Sequence, residues 1–100
     1  MKLTPLQCIT IVAETVLAER LTEEIKRLGA RGYTLIEACG EGSRHLRAGE
    51  IPGQNIRIEA VVSNAVAESI MDHIAHEYFD HYAVIVYVTD VQVVRGDKYV

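Results

Sequence analysis

One hundred residues, almost half of them hydrophobic and carrying a net charge of −4, make a globular chain of single-domain size. That composition excludes a disordered segment, and the negative charge argues against nucleic acid, whose phosphates need a basic face. No run approaches the roughly 18 apolar residues of a membrane span, and no charged head with an apolar core opens the chain, so one cytoplasmic domain over 1–100 is expected.

The chain opens on "QCITIVA", residues 7–13, a β-branched and apolar run that reads as a buried strand. From Thr15 the period changes. Leu17, Leu21, Ile25 and Leu28 share one helical face, and Glu19, Arg20, Glu23, Glu24, Lys26 and Arg27 cover the other. Thr15 is the expected N-cap and Gly29 the expected first residue past the C-terminus. "YTLIEAC", residues 33–39, gives a second strand. After a polar stretch ended by a Pro52-Gly53 turn, "NIRIEAVV" alternates cleanly, with Ile56, Ile58 and Ala60 to one side and Arg57 and Glu59 to the other. Ser63 and Asn64 then cap a second helix whose stripe is Val66, Ile70, Ile74 and Tyr78, widened by Met71 and Phe79 and ending near Asp80. A fourth strand follows over 83–88, with a short extension over 90–94, and the tail "RGDKYV" is expected to fray.

The order β-α-β-β-α-β is the split βαβ arrangement of an α+β, ferredoxin-like fold: an antiparallel four-stranded sheet with both helices on one face. Strands one, two and four are apolar on both sides, so the face away from the helices also needs cover. A second copy of the same sheet supplies it most simply, and a homo-oligomer is the expectation.

The polar stretch is "GEGSRHLRAGE", inside a connection running over 40–54 where this fold more often has a short hairpin. Gly40 and Gly42 permit positive φ, so backbone N–H groups can converge on one point. Ser43 adds a hydroxyl. Arg44 and Arg47, three residues apart, present two bidentate donors on one side of any helical turn, which suits phosphate or carboxylate. Composition leaves anion binding and a solvated connection both open. The GxxxxGK pattern of nucleotide hydrolases and its lysine are absent.

"GARGYTLIEACGEGSRHLR", followed by "NIRIE" and "YFDHYAVIVY", resembles the PII-like signalling proteins, and among them the SbtB branch that attends a sodium-dependent bicarbonate transporter. The resemblance runs over nearly the whole chain. It centres on Gly29, Arg31, Gly32, Tyr33 and Thr34, then Gly40, Gly42, Ser43, Arg44 and Arg47. It implies a homotrimer with adenine nucleotides (cAMP, AMP, ADP or ATP) in the clefts between subunits. It also implies that the long connection, the T-loop, docks into the transporter, so that the protein sits peripherally at the inner face of the membrane when bound. Ser43, Arg44 and Arg47 would meet the phosphates, and Gly42 would let the backbone approach. Thr34, Leu35, Tyr82, Ala83, Val84 and Ile85 would line the adenine and ribose pocket, with Glu14 nearby. The family often has lysine where Glu41 stands and glycine at Val84. Without the lysine, ATP would call for a divalent cation near Glu41 or Glu50. The cysteine-bearing tail of some relatives has no counterpart in "GDKYV", so redox control and hydrolysis tied to it are not expected, and the chain reads as no enzyme.

Other constellations read more plainly. Cys8 and Cys39 are expected as reduced core thiols. His73, Glu77 and His81, with Asp72, His76 and Asp80 beside them, are expected on a solvated helix face. A metal-tolerance protein using these histidines is the rival reading, and a nucleotide hydrolase the third. Glu14 and Glu37 read as ion-paired or solvated carboxylates rather than an acid/base pair. Arg57 and Glu59 should face a subunit seam or the nucleotide.

Overall fold

The structure, a computed structural model, describes residues 1–40 and 54–100. The described residues form four strands: β1 (Thr4–Glu14), β2 (Thr34–Cys39), β3 (Gln54–Val62) and β4 (Ile85–Val93). Two helices, α1 (Ala18–Arg27) and α2 (Asn64–Tyr78), join them into the predicted split βαβ order, and the fold is ferredoxin-like α+β. All pairings are antiparallel, and the sheet order is β2-β3-β1-β4. The two central strands are therefore β3 and β1, and β2 and β4 lie on opposite edges.

The side-chain alternation of the central strands builds the core. Ile9, Ile11 and Ala13 of β1 lie on one face with Ile56, Ile58, Ala60 and Val62 of β3, all essentially inaccessible. Leu21 and Ile25 of α1 and Ala67, Ile70, Ile74 and Tyr78 of α2 close over them. Each large aliphatic chain buried here, on strand or helix, contributes about 1.5–3 kcal/mol by leaving water.

Helix ends follow local chemistry, with one correction. The Ser63 hydroxyl accepts from the Val66 N–H at 3.2 Å, as its N-cap role requires. Thr15 does not cap α1. Residues Thr15–Leu17 form a 3-10 turn instead, and α1 begins at Ala18 with no side-chain cap. At the other end the Gly29 N–H donates to the Lys26 carbonyl and the Ala30 N–H to the Ile25 carbonyl, a Schellman closure that needs the positive φ of Gly29, 124°.

Three further expectations are revised. The fourth strand is one unbroken strand to Val93, because Asp90 pairs with Gln7 in the ladder and accepts a hydrogen bond from its amide. The tail does not fray: a 3-10 turn over Gly96–Tyr99 is pinned where buried Gly96 meets Thr4 at the start of β1. Phe79 leaves the apolar stripe and is half exposed, since α2 ends one residue before it.

The opposite face of the sheet carries no helix among the described residues. Leu6, Cys8, Thr10 and Val12 of β1 lie there beside Val61 and Val91, with Ile36 of β2 and Ile85 and Tyr87 of β4 toward the edges. The central residues are shielded by their neighbours, but Ile36, Ile85 and Tyr87 remain 43%, 59% and 45% exposed. This face is largely apolar, apart from Arg57 and Glu59, and no other described residue covers it, as the strand composition implies.

Candidate functional site

Antiparallel pairing brings four strand ends together at one edge of the molecule. Glu14, the last residue of β1, pairs with Asn55 near the start of β3, and Asn55 pairs with Ala38 near the end of β2. Val12, two residues before Glu14, pairs with Ile85, where β4 begins. Gly40 leaves this end and Gln54 returns to it, paired with Cys39. The segment carrying Gly42, Ser43, Arg44 and Arg47, with Glu41, Glu50 and the Pro52-Gly53 turn, lies outside the described residues but is tethered here at both ends. Glu14, Gly40 and the 84–85 step thus share one end of the sheet. Gln54, expected to end the connection, is the first residue of β3.

Thr34 and Leu35 do not join them within one chain. Register sets Leu35 in line with Ile58, Ile11 and Val86, and Thr34 in line with Glu59, Thr10 and Tyr87. They lie on β2, three strand spacings or about 14 Å from β4, with β3 and β1 between. Alternation also splits them, Thr34 to the uncovered face and Leu35 to the helix side. All of β2 except Ala38 is exposed. A pocket using both β2 and the start of β4 therefore has to take them from two copies of the chain.

The 82–85 segment is held from the helix layer. Tyr82 is half buried against the core, and its N–H donates to the Tyr78 carbonyl at 2.9 Å, closing the end of α2. Its ring packs at 5.6 Å from that of Tyr78. Ala83 and Ile85 are exposed and Val84 is half buried.

Tyr78 belongs to a polar cluster that pattern reading missed. Its hydroxyl donates to Glu24 Oε1 at 2.5 Å, and the His73 Nε2 nitrogen lies 2.9 Å from the same oxygen. Arg20 Nε donates to Glu24 Oε2 at 3.2 Å, and the Arg20 guanidinium stacks 4.6 Å over the Tyr78 ring. Burial works against the Glu24 charge, but hydrogen bonds from Tyr78, His73 and Arg20 outweigh it and hold the carboxyl below its ordinary pKa. Burial first, then the bond to Glu24, pushes the Tyr78 phenol well above its ordinary pKa. His73 is therefore half buried and engaged by Glu24, rather than solvated with His76 and Glu77. Among the described residues no group of three His, Cys, Asp or Glu is placed to hold a metal ion. One signal was available: a tyrosine ending an apolar helical stripe must find a partner for its hydroxyl.

On the uncovered face Arg57 and Glu59 form an ion pair, directed away from the helices as their alternation predicts. Asn55, which the sequence reading passed over, sits between Glu14 and Ala38, with its amide beside Gly40. Glu14 and Glu37 leave opposite faces of the sheet, which excludes a working pair between them within one chain. Both cysteines are free. Cys39 is exposed rather than in the core, since it ends an edge strand, whereas burial and then the charge of Glu59 raise the Cys8 thiol pKa and make it less reactive. The concavity of about 430 Å³ between Pro5, Gln7, Asn64, Asp90 and Gln92 lies at the opposite end of the sheet and includes none of these candidate residues.

The model of the nitrogen regulatory protein P-II family matches residues 6–98. The chain belongs to the PII family. A crystal structure of a PII-like signalling protein from Thermus thermophilus is 58% identical over the full length of both chains, with a TM-score of 0.87. CPII from Thiomonas intermedia, in a structure bound to ADP, AMP and acetate, is 28% identical with a TM-score of 0.85, covering 99% of this chain and 98% of that one. A second CPII structure, bound to ADP and bicarbonate, is 29% identical with a TM-score of 0.84, covering 98% and 97%. PII-like proteins are regulatory, and adenine nucleotides occupy CPII itself. No described helix in this PII-family chain is long and apolar enough to cross a membrane.

Proposed function

We propose that the chain is a homotrimeric PII-like regulator that binds adenine nucleotides in clefts between neighbouring copies. The observation that carries this reading is the topology of one sheet end. The Gly40, Gly42, Ser43, Arg44, Arg47 motif issues from the end where Glu14 and the start of β4 meet. Phosphate would be held by Ser43, Arg44 and Arg47, with Gly42 allowing close approach of the backbone. Adenine and ribose would lie between Thr34 and Leu35 of one copy and Tyr82, Ala83, Val84 and Ile85 of its neighbour. The position of β2 and β4 on opposite edges of one sheet supports that division. The uncovered apolar face, with Ile36, Ile85 and Tyr87, would be the surface on which the copies associate.

The connection over 40–54 would act as the T-loop. Its arginines sense the phosphates, so its arrangement differs between nucleotides, and the partner reads that difference. We assign the chain to the SbtB branch, with a sodium-dependent bicarbonate transporter as the partner at the inner face of the membrane. The motif described above supports the branch, and the bicarbonate in CPII supports an inorganic-carbon connection. A divalent cation would accompany ATP, because Glu41 stands where a lysine is usual. The protein acts as a switch and not as a catalyst. The engagement of His73 by Glu24 tells against the metal-tolerance reading.

Calorimetric titration with cAMP, AMP, ADP and ATP, each with and without magnesium and bicarbonate, tests the reading. Binding that is lost in Arg47→Ala supports it. Absence of heat with every nucleotide, or full binding by Arg47→Ala, overturns it. A pull-down from native membranes with each nucleotide tests the transporter.

A further inference from the structure

The Glu24 cluster is built like a clamp on the start of β4. One carboxylate, in a side chain only 13% exposed, takes bonds from three residues on both helices: Arg20 on its own helix and His73 and Tyr78 on α2. Tyr78 is the last residue of α2 and is inaccessible. From Tyr78 the chain of contacts continues outward. The Tyr78 carbonyl accepts from the N–H groups of both His81 and Tyr82, and the two tyrosine rings pack together. The Tyr82 carbonyl accepts from the Val84 N–H at 3.1 Å, which bends the connection into β4 one residue before Ile85. The path from Glu24 to the 82–85 backbone thus consists of four named contacts with no gap.

We infer that Glu24 is a positioning residue for the 82–85 segment, setting its backbone through Tyr78 and Tyr82 in the form that receives the nucleotide. This deepens the adenine-nucleotide reading and rests on it. Without the carboxylate charge, Tyr78 keeps its ring in the core but loses the charge-assisted bond that fixes its hydroxyl, and Tyr82 loses its rigid partner. The segment then samples other arrangements. If it occupies the receiving form about a tenth of the time, apparent affinity falls about tenfold with no contact to the ligand removed.

The experiment uses the full-length protein near neutral pH as wild type, Glu24→Gln, Tyr78→Phe and Arg47→Ala. Amide hydrogen exchange is followed without nucleotide, and ADP affinity is measured by calorimetry. Tyr78→Phe keeps the ring and its packing, so it remains informative if Glu24→Gln folds poorly. The expected result is faster exchange at Ala83, Val84 and Ile85 in both clamp variants, by a larger factor than at Ile9 and Ile11, whose protection falls only with global stability, and ADP binding about tenfold weaker. Unchanged exchange at these amides, or a change there no larger than the change at Ile9 and Ile11, overturns the inference. So does ADP binding in both variants at the wild-type affinity. A wild type that binds no ADP defeats the nucleotide reading instead, and the exchange result then still decides whether Glu24 positions the segment.

Discussion

Tyr78 closes α2 by donating its hydroxyl across the helix pair to Glu24, at 2.5 Å, while its ring lies under Arg20 and against Tyr82. One buried residue thereby joins α1, α2 and the start of β4. Removing the hydroxyl in Tyr78→Phe should cost about 1.5–3 kcal/mol, the range for a hydrogen bond to a charged group, and urea unfolding reads it.

The same pair sets an alkaline signature. The Tyr78 phenol pKa is raised in the folded state by burial and by the neighbouring carboxylate, so its contribution to stability is complete below the ordinary value of 10 and declines above it. Phenolate absorbance developed by pH 11 in the folded protein should be the same for wild type and Tyr78→Phe. A smaller signal in the variant would show that Tyr78 ionises like an exposed tyrosine.

Glu24 gives the opposite dependence. Its carboxyl pKa is depressed in the folded state, so the stability it confers is present above the ordinary value of 4.5 and is lost as pH falls through the folded value. Unfolding free energy should therefore drop between pH 5 and pH 3 in the wild type, and less steeply in Glu24→Gln. Parallel curves would contradict the depressed pKa.

Gly96 and Gly32 provide a paired test of the tail. A methyl group on Gly96 would overlap the Thr4 side chain, whereas one on Gly32 meets nothing within 4 Å. Gly96→Ala should destabilise by about 1–3 kcal/mol, the usual cost of overpacking, and speed tryptic cleavage after Arg95. Gly32→Ala should leave both measurements near the wild type.

The uncovered sheet face makes a prediction about assembly. Tyr87 is 45% exposed there and stands in register with Thr10 and Glu59. A charge at its position would be buried on association, so Tyr87→Glu should sediment as a monomer where the wild type sediments as a trimer. A wild-type monomer at micromolar concentration would remove the basis for clefts between copies.

Element order, the inward face of β3 and the closures at Gly29 and Ser63 are legible along the chain, because these depend on short-range periodicity and on single-residue chemistry. Ile56, Ile58 and Ala60 against Arg57 and Glu59 is such a case: alternation alone orients them. The sequence also carried the glycine–arginine motif, whose residue types announce an affinity for anions wherever they lie. Tertiary structure decided what depends on which distant residues meet. It moved the start of α1 past Thr15, tied Gly96 to Thr4 and brought Glu24, His73 and Tyr78 together across roughly fifty residues of chain. It also parted Thr34 and Leu35 from Ile85 by setting β2 and β4 on opposite edges, since strand order follows from how both helices cover a single face and not from any local preference.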